Sequence, residues 1–391
     1  MARTVMTLYL EDSDIKLIIA RGRQVKLWAS VPLPPGLIEG GLIIDEAQVA
    51  DKVRELINSI SNIKGSAGLI GRRTKVIVGL SGRDSLYRVL SLPVLTDNML
   101  TEAVNREAAR VLPVPIDELY IAYQRIPGGE NESLVFVAAF PKRTTDTLIR
   151  TLRSAGVTPR VLDLAPLALC SLVNEPQAVI VDVSVKSDSL NIVVIKDRVP
   201  QVIRSLALQS DMDTLLENMP TISEELSRTI AFYNSSHQAD PIDAEACILV
   251  SGDLVDSPET WSVLTGRLNS KVAILPSVIE YPEGFPIHNY IINLGLAAKE
   301  LSLEKEPGNA LSLYHLGYAY GMTGDHGKEV QYYEKAIALG YSRDAGLYYN
   351  LGMAYGELNS TQKAISAFKR ALEIDPIHDD ARKFLNSIEN K

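Results

Sequence analysis

The sequence predicts an α/β chain of two matched lobes followed by an all-α tail. Three observations carry this. Three β-favouring runs open the chain at residues 4–10, 15–20 and 24–31, and a second meander of three begins at Ala178, with AVIVDVSVKSDSLNIVVIKDRVPQVIRSLAL. Helical periodicity follows each meander. Beyond Pro307 tyrosines crowd the chain, and Leu316-Gly317 and Leu351-Gly352 recur ~35 residues apart, the period of helical-hairpin arrays.

Bulk properties narrow the function classes. A chain of 391 residues exceeds one compact core, and 46% hydrophobic residues can fill more than one. A formal charge of −9 argues against non-specific nucleic-acid binding, which needs a basic surface to displace counterions. The two cysteines, Cys170 and Cys247, lie in apolar contexts, so a reducing compartment fits better than a disulfide framework. No apolar run approaches the ~20 residues of a spanning helix. The opening MARTVMTLYLEDSD turns acidic too soon for a signal peptide. The expected location is the cytoplasm, with the membrane reached only through a partner and without insertion.

The elements follow in order. After the first meander Pro34, Pro35 and Gly36 give an extended loop, and Asp45 is placed to cap a helix burying Val49, Val53, Leu56 and Ile60. Residues 61–74 read as a basic loop and 75–80 as a central strand. Residues 86–92 are a strand that Pro93 ends, because proline offers no N–H to a ladder. From Asp97 the spacing of Leu100, Ala103, Val104, Ala108 and Val111 is helical, until Pro113 and Pro115 stop it. Residues 119–124 and 135–140 are strands around the turn IPGGENES, 144–154 a helix and 160–163 a strand. After the second meander, 223–233 reads as a helix, 246–251 as a strand and 289–301 as a closing helix.

The block SLYRVLSLPVLTDNMLTEAVNREAARVLPVPIDELYIAYQ, with VFVAAFPK at 135–142 and AGVTPRVLDLAPLAL at 155–169, closely resembles the PilM family, the actin-like component of type IV pilus and type II secretion machines. The resemblance implies an actin-like fold of duplicated ribonuclease-H-like cores over residues 1–301. It also implies an inserted subdomain at about residues 81–143.

An actin-like ATPase grips phosphates with two glycine-bearing hairpins, because small residues let backbone N–H groups approach the oxygens. Family members with an intact site begin with a run like DIGSSSVKL. Here the equivalent run puts Tyr9 for the aspartate, Glu11 for the glycine and Asp12 and Asp14 for two serines. The second hairpin keeps Asp182, but its glycine is Ser184, followed by Val185, Lys186, Ser187 and Asp188; the adenine-side motif reads Ser251-Gly252-Asp253. Carboxylates where a phosphate tail would lie repel it. The expectation is a vestigial site formed by Tyr9, Glu11, Asp182, Ser184, Lys186, Ser251 and Gly252, with no cofactor, no metal and no catalytic residue. ATP with Mg is the alternative. The five histidines show no metal-ligand spacing, and no GxSxG elbow or Walker lysine loop is present.

The tail, residues 307–391, resembles a tetratricopeptide array of two repeats and a capping helix at 379–390. In the second repeat Tyr348, Leu351, Gly352, Tyr355, Ala364, Phe368, Ala371 and Pro376 fall at expected positions. In the first, Leu313, Leu316, Gly317, Tyr320, Tyr333 and Ala336 fit, but Glu329 stands where a small residue packs between the helices. The resemblance to PilM implies a scaffold that receives the amino-terminal peptide of an inner-membrane PilN-type protein. Arg83, Tyr87, Arg88 and Leu90 are the first groove residues to test. Tail tyrosines such as Tyr314, Tyr318 and Tyr349 offer a second surface for other pilus or secretion components. The rival reading is an active actin-like ATPase that switches or polymerises, as the cell-division protein FtsA does. A general tetratricopeptide adaptor is a third.

Overall fold

The computed structural model describes residues 3–63, 69, 74–95, 97–126, 132–208, 214–238, 240–243, 246–265, 271–305, 321, 326–338 and 345–389. Contacts sort the chain into two compact units, Met1–Ser91 with Asn105–Leu301, and Leu92–Val104 with Ser302–Lys391.

The first unit starts with β1 (Thr4–Leu10), β2 (Asp14–Arg21) and β3 (Gln24–Pro32), then the short hairpin β4 (Ile38–Glu39) and β5 (Leu42–Ile43). α1 (Glu46–Ser61) is capped by the Asp45 side chain, which accepts from the N–H of Gln48, and it buries the predicted Val49, Val53, Leu56 and Ile60. There follow β6 (Lys75–Leu80), β7 (Leu86–Pro93), α2 (Asp97–Val111), β8 (Leu119–Ile126), β9 (Glu132–Pro141), α3 (Lys142–Ser154), β10 (Val161–Leu164) and α4 (Ala165–Cys170). The second meander is β11 (Gln177–Ser184), β12 (Ser189–Lys196) and β13 (Val199–Ala207), with α5 (Leu215–Ser236), β14 (Cys247–Gly252), α6 (Trp261–Thr265), β15 (Val272–Ile274) and α7 (Ile287–Lys305) behind it.

The two halves share one topology. The sheet orders are β10-β6-β1-β2-β3 and β13-β12-β11-β14-β15, each an antiparallel meander extended by two parallel strands. Their central strands are buried on both faces, which is why β11 reads as a nearly unbroken apolar run. One core joins the inner faces, with Ala178, Ile180, Val5 and Ile18 meeting α4 and α7. Val179, Val181 and Val183 point the other way, toward α5. Asn293 of α7 donates to the carbonyl oxygens of Thr7 and Lys16, each at 3.2 Å, tying that helix to β1 and β2. β7, β9 and β8 form a separate three-stranded sheet in that order.

Two helices are longer than their sequence patterns suggest. α5 begins eight residues before the expected Ser223, because Thr214 and Glu217 form a reciprocal capping box and Pro220 is accommodated inside the helix. α7 extends beyond 289–301 at both ends.

In the second unit α8 (His326–Ala338), α9 (Ala345–Glu357), α10 (Thr361–Ile374) and α11 (Asp379–Glu389) share a core containing Tyr333, Leu351, Tyr355 and Phe368. Gly352 leaves room for the Phe368 ring, whose Cε1 would lie 2.7 Å from an added Cβ. Glu329 is buried where the repeat pattern calls for a small residue. Its carboxylate meets His326 Nδ1 at 2.7 Å, and Gly321 supplies the missing space, since a Cβ there would stand 2.3 Å from Glu329 Oε1. Leu313, Tyr314, Leu316, Gly317, Tyr318 and Tyr320 lie outside the described residues.

Gly321→Ala should therefore displace the Glu329 carboxylate and destabilise the tail by about 1 kcal/mol or less, although alanine is the better helix former. In a Glu329→Ala background the same change should become stabilising. Urea unfolding of the four proteins checks this; an unchanged sign would mean that Gly321 does not make room for the carboxylate.

Candidate functional site

Loops leaving the central strands converge between the two sheets of the first unit. β1 runs into residues 11–13, β6 into Ser81-Gly82-Arg83, β11 into residues 185–188 and β14 into Gly252-Asp253. The first and third are the hairpins that the family resemblance assigns to phosphates, and the fourth is its adenine-side motif.

Tyr9 stands opposite Gly79 in the β1–β6 register, and an added Cβ at 79 would lie 2.8 Å from its ring. The ring is buried. Desolvation first, and then the charge of Glu11, keep its phenol protonated well above the usual range. The next residues put carboxylates where the sequence places a phosphate cradle, and protein donors answer Glu11 and Asp12.

Glu11 is buried, accepting from Lys16 Nζ at 2.6 Å and from Ser187 Oγ at 3.2 Å. Lys16 also lies 3.5 Å from Asp14. The Ser13 and Ser187 hydroxyls are 2.7 Å apart, so the two hairpins touch directly. Asp12 accepts the N–H groups of Gly40 at 2.8 Å and Gly41 at 3.0 Å. Arg83 reaches Asp12 at 3.5 Å and donates through Nη2 to the carbonyls of Ser187 at 3.1 Å and Asp188 at 2.5 Å. Arg83 and Ser187 thus form a latch between the first lobe and the second.

The second hairpin is filled in the same way. Asp182 accepts from Ser251 Oγ at 2.7 Å and from Asn191 Nδ2 at 3.1 Å, and Ser205 Oγ donates to Asn191 Oδ1 at 2.7 Å. Burial pushes its carboxyl up against the lowering effect of Ser251 and Asn191. The N–H of Val185, a donor that a phosphate would need, is taken by the Asp253 carboxylate at 2.7 Å. Gly252 is left-handed at φ +65°, and a Cβ would fall 2.0 Å from the carbonyl oxygen of Val183, so only glycine fits. Ser184 ends β11, and Lys186 is exposed at the hairpin tip.

Beside the latch lies a cleft of about 530 Å³. Pro32, Leu33, Pro35 and Ile38 give it an apolar wall, while Arg83 and Lys186 supply cationic groups. The groove residues named from the sequence divide. Arg83 lies in the cleft. Tyr87 is buried against Phe136 with ring centres 6.3 Å apart, and Leu90 is buried on the same strand. Arg88 is exposed and folds Nη1 onto the carbonyl of Tyr87 at 2.8 Å. In the tail, Tyr349 sits in an aromatic cluster with Phe368, His378 and Phe384.

Sequence reasoning did not single out Ser13, Asn191, Ser205 or the Gly40-Gly41 pair. Asn191 had a usable signal, since the hairpin register puts it directly opposite Asp182. The others are reached only through tertiary contact. Among the described residues no cluster of histidine, cysteine, aspartate and glutamate could hold a metal ion.

Residues 10–199 match the family described as type IV pilus assembly protein PilM, and residues 310–339 and 345–378 match tetratricopeptide repeats. A solved PilM-PilN type IV pilus biogenesis complex is similar at 21% identity, covering 76% of this chain and 98% of that one, with a TM-score of 0.59. The cytoplasmic domain of EpsL, an inner-membrane component of the Vibrio cholerae type II secretion system, gives 11% identity, 76% and 95% coverage and a TM-score of 0.43. A Bacteroides thetaiotaomicron protein with an actin-like ATPase fold and unknown function gives 9%, 76%, 96% and 0.40. No curated protein matches the sequence. The duplicated sheets are the expected actin-like fold, and the tail is a tetratricopeptide region.

Burial raises the Glu11 carboxyl to about 7, with Lys16 opposing the shift. An acid raised in the folded state stabilises fully below its unfolded pKa, and that contribution is lost as pH climbs from about 4.5 through 7. Glu11→Gln should remove this dependence. Urea midpoints from pH 5 to 8 should fall less steeply for the variant than for the parent; parallel curves would show that Glu11 does not titrate in this range.

Proposed function

We propose that this PilM-like chain is a cytoplasmic scaffold of a type IV pilus or related secretion machine, binding the amino-terminal peptide of an inner-membrane PilN-type protein. The observation that carries the reading is the family match over residues 10–199. The latch supports a scaffold over a switch. In an ATPase of this fold a nucleotide bridges the hairpins; here Ser13, Ser187 and Arg83 link them directly.

The residues present do not fit a triphosphate. Asp253 occupies the backbone N–H of Val185, a group that a phosphate would use, and Glu11 and Asp12 add two more carboxylates to the cleft. A polyanion would have to displace these groups and face their charge. No catalytic step is assigned to the cleft, and the work of the protein is recognition.

An extended peptide gains affinity from main-chain hydrogen bonds and side-chain pockets, offset by the entropy of ordering it. The groove between the first sheet and the β7-β9-β8 subdomain is the proposed receptor, with Arg83 and the exposed Arg88 as its candidate residues. The tetratricopeptide tail offers a separate surface for further components of the machine. Membrane association runs through the partner: no described helix is long and apolar enough to cross a membrane.

Calorimetric titration of the full chain tests both halves of this reading. Mg-ATP should give no binding heat, whereas a synthetic peptide of the amino-terminal segment of a PilN-type protein should bind saturably. Arg88→Glu should weaken that peptide about tenfold, a loss of about 1.4 kcal/mol. Micromolar ATP binding would restore the switching ATPase, and absence of peptide binding would remove the partner.

A further inference from the structure

The connection from β15 to α7 runs through residues 275–286, LPSVIEYPEGFP, twelve residues outside any helix or strand. Loops of that length are uncommon inside a compact domain, and they move unless something holds them. This one is held along its length. Its start is pinned to the second sheet, where the Leu275 N–H donates to the Val250 carbonyl of β14 at 2.8 Å. Its middle is pinned to the first sheet. There the Val25 N–H donates to the Glu280 carbonyl at 2.8 Å, the Glu280 N–H donates to the Arg23 carbonyl at 2.7 Å, and Gln24 Nε2 donates to Glu280 Oε2 at 2.9 Å. Glu280 thereby adds a parallel bridge to the outer edge of β3.

Side chains reinforce the backbone contacts. The Phe285 ring meets Trp28 of β3 edge-on with centres 5.3 Å apart, and it packs on Tyr290 of α7 at the same separation. Leu275, Ile279 and Phe285 are buried in the core that the two sheets share. Pro276, Pro282 and Pro286 restrict the backbone between these points. The strand register puts this tie far from the latch. Gln24 pairs with Arg21, and Arg21 with Thr4 at the start of β1, whereas residues 11–13 follow Leu10 at its other end. The length of β1, about 20 Å of extended chain, separates the two.

We propose that residues 275–286 are a strap that fastens the two lobes at the end remote from the latch, so that the first unit has no free interlobe hinge. One hydrogen-bonded tie would leave a lobe able to swing about it. The shared apolar core does not prevent that motion, because apolar packing is non-directional. Two ties at opposite ends of the sheet remove the swing that either alone would permit. Each guards its own end: release of the strap frees the β3 end while the hairpins stay together, and release of Arg83 from the second hairpin does the reverse.

Distances between spin labels on the full chain, read by double electron–electron resonance, test both ends. With Cys170 and Cys247 replaced by alanine, labels at Arg21→Cys and Lys271→Cys report the strap end, and labels at Glu39→Cys and Lys186→Cys report the hairpin end; all four positions are exposed. Each pair should give one narrow distance in the parent. Glu280→Pro removes the N–H that reaches Arg23, and it should about double the width of the strap-end distribution while leaving the hairpin end unchanged. Phe285→Leu keeps an apolar side chain in the core and should broaden the strap end in the same sense, with circular dichroism confirming the fold of each variant. Arg83→Ala should broaden the hairpin end alone. A strap-end distance that neither strap variant moves overturns the proposal. So does a broad strap-end or hairpin-end distribution in the parent, which would show a hinge already free.

Discussion

A carboxylate buried between two lobes has to be answered by protein donors, and Glu11 is answered from both sides. Lys16 comes from the next strand of the same lobe and Ser187 from the opposite hairpin. Desolvation drives this arrangement, because an unanswered buried charge costs several kcal/mol. Once Glu11 is fixed, Ser13 lies within hydrogen-bond distance of Ser187, and Arg83 can span Asp12 and the carbonyls of the second hairpin. The two sheets are held together through groups that belong to the chain itself.

That constraint separates two uses of one architecture. Where a bound ligand bridges the lobes, their spacing follows the ligand. Where side chains bridge them, the spacing is built in, and a surface spread over both lobes keeps one shape for a partner to read. The inserted three-stranded sheet follows β6 closely, with Arg83 in the segment joining β6 to β7. The residue that secures the hairpins therefore lies a few positions from the strand where partner recognition is proposed.

Much of the fold was legible because its signals are local. The double-sided burial of β11 appears as consecutive apolar residues, and Asp45 announces α1 by the ordinary chemistry of a cap. The start of α5 was equally local but went unread, since the capping box of Thr214 and Glu217 lies ahead of a proline that looks like a barrier. The site was legible only in outline. The hairpin residues differ from the family's phosphate run, but Ser13 and Ser187 are 174 positions apart and nothing in either neighbourhood predicts their contact. Arg83 was named for a groove and is found in the latch. In the tail, Glu329 looked like a packing fault until Gly321, eight positions earlier, proved to hold its space. Of the tail tyrosines, Tyr333, Tyr348 and Tyr355 are buried among the helices, whereas Tyr349 keeps a partly open ring.

The contacts of Glu11 and Asp12 also resist substitution one residue at a time. Replacing Glu11 by glycine would strand Lys16 as a buried, under-neutralised cation, a loss of about 3–5 kcal/mol. Replacing Asp12 by serine would strip the charged acceptor from two amides and from Arg83. Each of the two carboxylates thus has partners that a single substitution would leave unanswered. The lining of this cleft is guarded by the stability of the chain itself, whatever else the cleft is asked to do.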